Sequence, residues 1–144
     1  MSRVINPNNP GKVRNSNMRT IAEILRRVGA KADVDDEARD MFAALVYLLR
    51  EIHQSALTTV EAWERRGYWM KADRFMRDWE WSAEMAANFE DVIRNDAWDL
   101  IPRLLGELVP HTAEIQVKNL TRSPKAWHGA YRQLLSEPPG ELPY

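Results

Sequence analysis

Three histidines are the side chains of this 144-residue chain that titrate nearest neutrality, and the chain holds no cysteine. Glu107, His111 and Glu114 are four and three residues apart. On an unbroken helix that spacing puts two carboxylates and an imidazole on one face, as a hard-metal or acid/base cluster. Pro110 falls inside the set and predicts a break in the helical phase, which argues against the cluster. His53 has Val46, Leu49, Leu57 and Val60 at −7, −4, +4 and +7, so it lies on or beside an apolar stripe. If the chain reverses at Gly67, His53 comes level with Trp79, Glu80, Trp81 or Glu84. There it is either a partly buried histidine satisfied by a carboxylate or a tryptophan, or a proton-transfer or metal group. His128, beside Trp127, reads as a surface residue.

Beyond these, the recurrent signatures of catalysis are missing. There is no Glu-x-x-His pair of the kind di-metal bundles use, and Glu51 and His53 stand roughly 200° apart around a helix. Metalloprotease, dinucleotide, phosphate-loop and nucleophile-elbow patterns are absent as well. Without cysteine, disulfide scaffolds, thiolate-zinc sites and thiol nucleophiles are excluded. Glu61-x-x-Glu64 resembles half of the magnesium site of all-α nucleotide pyrophosphohydrolases. That pattern also requires a Glu-x-x-Asp on the following helix, and residues 68–94 contain none. The motifs point away from an enzyme, and no cofactor or metal is expected.

The elements that carry these residues are helical. Asp33, Asp35, Asp36 and Glu37 crowd the start of a helix over about 35–66, and Arg65-Arg66-Gly67 closes it, matching the macrodipole at both ends. It would be about 48 Å long. A helix over about 68–94 follows, with Ala72, Phe75, Met76, Trp79, Ala83, Ala86, Phe89 and Ile93 at spacings of three and four. A single Gly67 between them predicts a tight antiparallel hairpin, the alternative being one helix of some 60 residues. Residues 18–28 form an earlier helix capped by Asn17 or Thr20, with Thr20-x-x-Glu23 fitting a capping box and Gly29 as the stop. After Asp96 or Asp99, Pro102 and Pro110 divide the chain to Asn119 into two short pieces. Ser123-Pro124 opens a last helix over 124–135. Residues 1–17, with two prolines and five asparagines, predict an extended arm, and 137–144 an extended tail. With no period-two alternation, the fold class is all-α: one helical-bundle domain over 18–136 built on the long hairpin.

Near-neutral net charge hides a partition. Residues 1–31 carry +6, residues 32–100 carry −8, and 101–144 carry +1. Arg3, Lys12, Arg14, Arg19, Arg26 and Arg27 therefore read as a basic arm that contacts either an acidic protein surface or nucleic-acid backbone; with no aromatic in 1–31, base stacking is not expected there. The six tryptophans are a placement problem. Trp63 and Trp69 flank the turn and are expected to clamp it. Trp79 joins the core stripe, whereas Trp81 points about 200° away with Met85 and Val92. That second apolar face needs a partner, either the C-terminal helices or another subunit. Flanked by Arg74 and Arg77, it has the composition of an interface hot spot.

The expected function is a non-enzymatic helical interaction or oligomerisation subunit that uses the basic arm and the second face of the third helix. A nucleic-acid-backbone accessory subunit is the alternative, and an enzyme or ligand binder around His53 or Glu107/His111/Glu114 the second. No stretch offers the roughly 18 apolar residues that cross a bilayer and the first residues have no signal-peptide core, so a cytoplasmic protein without a membrane role is expected.

Overall fold

A computed structural model describes residues 9–140. Arg3 and the tail residues 141–144 lie outside the described residues. Six α-helices run in order: α1 Pro10–Gly29, α2 Asp36–Arg65, α3 Trp69–Trp79, α4 Trp81–Arg94, α5 Ile101–Leu108 and α6 Ala130–Ser136. Short 3₁₀ turns lie at Trp98–Leu100, Val109–Thr112 and Pro124–Ala126. No strand occurs among the described residues, and the class is all-α.

Helix α2, about 45 Å long at 1.5 Å per residue, is the axis of the molecule, packing against α1, α3, α4 and α6. Asp35 caps it by accepting from the Ala38 N–H at 2.8 Å. Its apolar middle has Phe42, Leu45, Val46, Leu49 and Ile52 buried, as a helix with neighbours on several sides must. The chain leaves it through Gly67, whose φ of +81° is a left-handed conformation that costs glycine little. Contacts across the turn then lengthen in sequence: Trp63 meets Phe75, Arg50 meets Glu90, and Phe42 meets Trp98.

Three expectations need correction. First, residues 10–17 are not an extended arm but the first two turns of α1. Asn9 caps that helix by accepting from the Lys12 N–H at 3.1 Å, and Pro10 sits in its first turn, where its missing N–H costs nothing. The poor helix formers that follow are compensated by long-range bonds: Asn17 Nδ2 donates to the Leu48 carbonyl at 3.2 Å and to Glu51 at 2.8 Å. Thr20 is no cap; it lies mid-helix and donates to the Ser16 carbonyl. Second, the helix expected over 68–94 is divided at Glu80 into α3 and α4. Ser82 Oγ donates to the Trp79 carbonyl at 2.6 Å while Ala83 N–H bonds back to Glu80, a tightened turn of the kind side-chain insertion produces. Third, the helix expected over 124–135 begins only at Ala130. Gly129, at φ +81°, separates it from the 3₁₀ turn, and both Gly129 N–H and Tyr131 N–H donate to the Asp40 carboxylate.

Two buried carboxylates fasten the irregular segments to this frame. Glu23, fully buried, accepts from Thr121 N–H at 2.7 Å, Arg122 N–H at 2.8 Å, Thr121 Oγ1 at 2.6 Å and Arg19 Nε at 2.8 Å. Glu90 accepts from Arg50, Arg94 and Gly140 N–H, and Arg94 also donates to the carbonyls of Leu134, Glu137 and Pro138. A coil without its own ladder of backbone bonds must find partners elsewhere, and here side chains supply them.

Candidate interaction surface

The cations read as an arm are mostly engaged within the chain. Arg19 donates to the carbonyls of Gln116 and Asn119, Arg26 to that of Val117, and Arg27 to that of Arg122. Arg14 bonds Ser55 and Thr59 and stands over the Phe75 and Trp79 rings at 4.7 and 5.6 Å from their centroids. Burial lowers its pKa, as desolvation does to any cation. These four arginines hold α1 to α2, to the α3 aromatics and to the 116–122 coil. Lys12 and Arg26 remain exposed. Proximity of α1 to that coil, some 90 residues on, leaves no local mark in the sequence.

The second apolar face is also covered from within. A left-handed Asp96 (φ +52°) turns the chain so that α5 folds back on α4, burying Met85 and Val92 beside Ile101, Leu104 and Leu108. Trp81 is half-buried, with the His111 ring lying flat on it at 3.7 Å between centroids and 6° between planes. Of the two partners open to this face, the C-terminal segment takes it, and Trp81, Met85 and Val92 are not a free interface. Arg74 and Arg77 stay exposed, and Arg77 pairs with Asp73 on its own helix.

Glu107, His111 and Glu114 are not brought together. Helix α5 ends at Leu108, Pro110 lies in the 3₁₀ turn that follows, and no group of three potential metal ligands forms among the described residues. His53 is half-buried, and its ring takes part in no hydrogen bond or ion pair among the described residues. Burial pushes both His53 and His111 below the usual imidazole range. Both are therefore neutral when folded at pH 7. The unfolded chain binds protons first as the pH drops below 6.5, so these groups subtract stability as the pH falls through 6.5 toward their folded values. On the Trp81 stack, tryptophan emission should step with a midpoint below 6.5, and the step should vanish in His111→Phe but persist in His53→Gln. A titration unchanged by His111→Phe would show that the stack does not form.

Among the described residues, the large apolar side chains left most exposed stand at the α2–α3 turn. The expected Trp63/Trp69 clamp is not there: Trp63 packs edge-on against Phe75 at 5.0 Å and lies under Lys71, while Trp69 points outward. Tyr68, Trp69 and Met70 are 52, 63 and 82% exposed, three consecutive large apolar side chains at the first turn of α3. Beside them in sequence stand Arg65, Arg66, Lys71 and Arg74, none in an ion pair among the described residues, and Glu61 and Glu64 line a hollow together with Arg65 and Trp69. The signal for this site was in the sequence as Gly67-Tyr68-Trp69-Met70. What hid it was the assumption that a tryptophan beside a turn packs on that turn.

No protein-family model, curated protein or solved structure matches this chain at a significant level. No helix among the described residues is long and apolar enough to cross a membrane.

Proposed function

We propose that this chain is a non-enzymatic helical interaction module whose contact surface is the tip formed by Tyr68, Trp69 and Met70. The observation that carries this is their joint exposure. Isolated exposed apolar residues are ordinary, but three consecutive large apolar side chains, two of them aromatic and flanked by charged residues of both signs, have the composition of an interface hot spot. Three other candidate sites offer less free surface. The basic residues of α1 brace a coil, the second face of the third helical segment lies under α5, and the Glu107, His111 and Glu114 side chains are dispersed. An interaction role accounts for an exposed Trp-Met pair that costs solubility and contributes nothing to the core.

A photo-crosslinking residue at position 69 tests this in cells that make the protein. The expected result is a protein adduct at position 69 and none at Arg132, which is also exposed but lies on α6. Equal labelling at both positions, or none at 69, overturns the reading. Trp69→Ser should abolish binding by about 100-fold, the size of a hot-spot truncation, while leaving the thermal midpoint within a few degrees.

A further inference from the structure

We infer that Tyr47, Arg50, Glu90 and Arg94 form a binding site for an extended Glu-Pro-Pro-Gly peptide, occupied within the chain by residues 137–140 as a releasable strap. The site lies where α2 meets α4 and shares no residue with the tip. Glu90 is its hub. Buried at 7% exposure, it receives Arg50 at 2.7 Å from α2 and Arg94 at 2.7 Å from its own helix, and it also accepts the Gly140 N–H at 2.9 Å. Burial pushes this carboxyl up, but the Gly140 N–H and the two arginines outweigh it and hold the group below the usual range. It is therefore an anionic acceptor at neutral pH.

Each residue of the segment meets a different feature of the site. Glu137 leaves α6 in an extended conformation (φ −96°, ψ 153°), and its carboxylate accepts from the Tyr47 hydroxyl at 2.7 Å. Arg94 Nη2 donates to the carbonyls of Glu137 and Pro138 at 3.0 and 3.2 Å. The two prolines bring no N–H that would need a partner, and their fixed φ leaves less freedom to lose on binding. Gly140 is recognised by its missing side chain. A Cβ there would come within 2.6 Å of Arg50 Nη2 and 2.9 Å of Glu90 Oε1, two atoms that cannot yield without breaking their own ion pair. A connector that merely follows a helix needs no such match at each residue. Release follows from how the segment is held. Pro138, Pro139 and Gly140 are exposed, so hydrogen bonds rather than apolar burial hold them, and segments held in that way sit at the low end of local stability. A short tether gives the strap an effective concentration in roughly the millimolar range. A free copy of the segment at several times that concentration should therefore compete with it.

An acetylated, amidated Ser-Glu-Pro-Pro-Gly peptide provides the test, titrated to about 10 mM into the isotope-labelled full chain and into its Gly140→Val variant. Position 140 is exposed, and circular dichroism verifies that the variant folds. In the wild type, the backbone amide resonances of Glu90 and Arg94 should move as the peptide displaces the strap. Gly140→Val, whose own segment cannot close, should bind the peptide at least about tenfold more tightly, because its site is no longer shared with a tethered competitor. A peptide with Val in place of Gly should bind neither protein, a control that leaves the chain itself unaltered. Resonances that stay in place in either protein overturn the inference. So does a Val peptide that binds like its parent, or a Gly140→Val chain whose 134–140 amides keep their wild-type positions, since either result would mean that the site accepts a Cβ.

Discussion

Replacing Glu23 with Gln should lower stability by about 3–5 kcal/mol, the cost of losing several charge-assisted hydrogen bonds at once and leaving their buried donors unpaired. For a chain of this length that is a fall in Tm of about 10–15 °C. The carboxylate has no exposed surface and four donors: two backbone N–H groups, one hydroxyl and Arg19. An amide can accept at only one end, so its NH₂ group must face either the Thr121 and Arg122 N–H pair or the Arg19 and Thr121 side chains. Donor against donor in a dry site loses the bonds and adds a desolvation penalty. The consequence is local before it is global, because residues 116–122 have no regular backbone ladder and rely on α1 for anchorage.

Acid titration gives the same prediction an independent readout. Burial pushes the Glu23 carboxyl up, but bonds from Arg122 N–H, the Thr121 hydroxyl, Arg19 and Thr121 N–H outweigh it and hold the group at about 2, against 4.5 when unperturbed. Its contribution is therefore complete above pH 4.5 and is lost as the pH falls through 4.5 toward 2, amounting to about 3 kcal/mol. Denaturant melts of the wild type should show that acid limb, and Glu23→Gln should flatten it. A variant within about 1 kcal/mol of the wild type, with amides 116–122 still protected from exchange, would refute the anchoring role.

Glu23 also marks the limit of what could be read from residue order. Local signals were strong where they were truly local: the acids ahead of α2, its closing arginines and Gly67 locate a long helix and a turn because caps and dipoles act within a few residues. Thr20-x-x-Glu23 imitated a capping box, yet Glu23's partners lie 98 and 99 residues away, at Thr121 and Arg122. The same failure explains the arm. Prolines and asparagines in 1–17 read as turn formers, while Asn9-Pro10 is a helix start and Asn17 is held by α2. The hidden second face of the third helical segment needed one fact no spacing supplies, the left-handed turn at Asp96 that brings α5 back over Met85 and Val92. For the tip, residue types were legible and exposure was not, since whether Trp69 packs inward depends on which ring Trp63 meets, and Trp63 meets Phe75.

Trp127→Ala should be comparably damaging, at about 3–5 kcal/mol, because it empties the site of a large side chain that is only 2% exposed. This ring joins three elements. Its indole N–H donates to Glu37 at 3.3 Å near the start of α2, its face lies 5.1 Å from the Arg27 guanidinium of α1, and it immediately precedes the Gly129 turn that opens α6. Arg27 also holds the Arg122 carbonyl, so losing the ring loosens the coil that Glu23 anchors. The two sites therefore share a segment, and their effects should not add: the double variant should fall short of the sum by about 0.5–3 kcal/mol, the range for coupled neighbours. Trp127→Phe separates packing from hydrogen bonding. It retains most of the volume but not the bond to Glu37, and should cost about 1–2 kcal/mol. Calorimetric melts of the wild type and these four variants decide this. The tip lies at the opposite end of α2 from Glu37, so Trp69 exposure to a soluble quencher should be unchanged in Trp127→Phe. Strict additivity of Glu23→Gln and Trp127→Ala would mean that coil and α6 are held independently, contrary to the Arg27 and Arg122 contact.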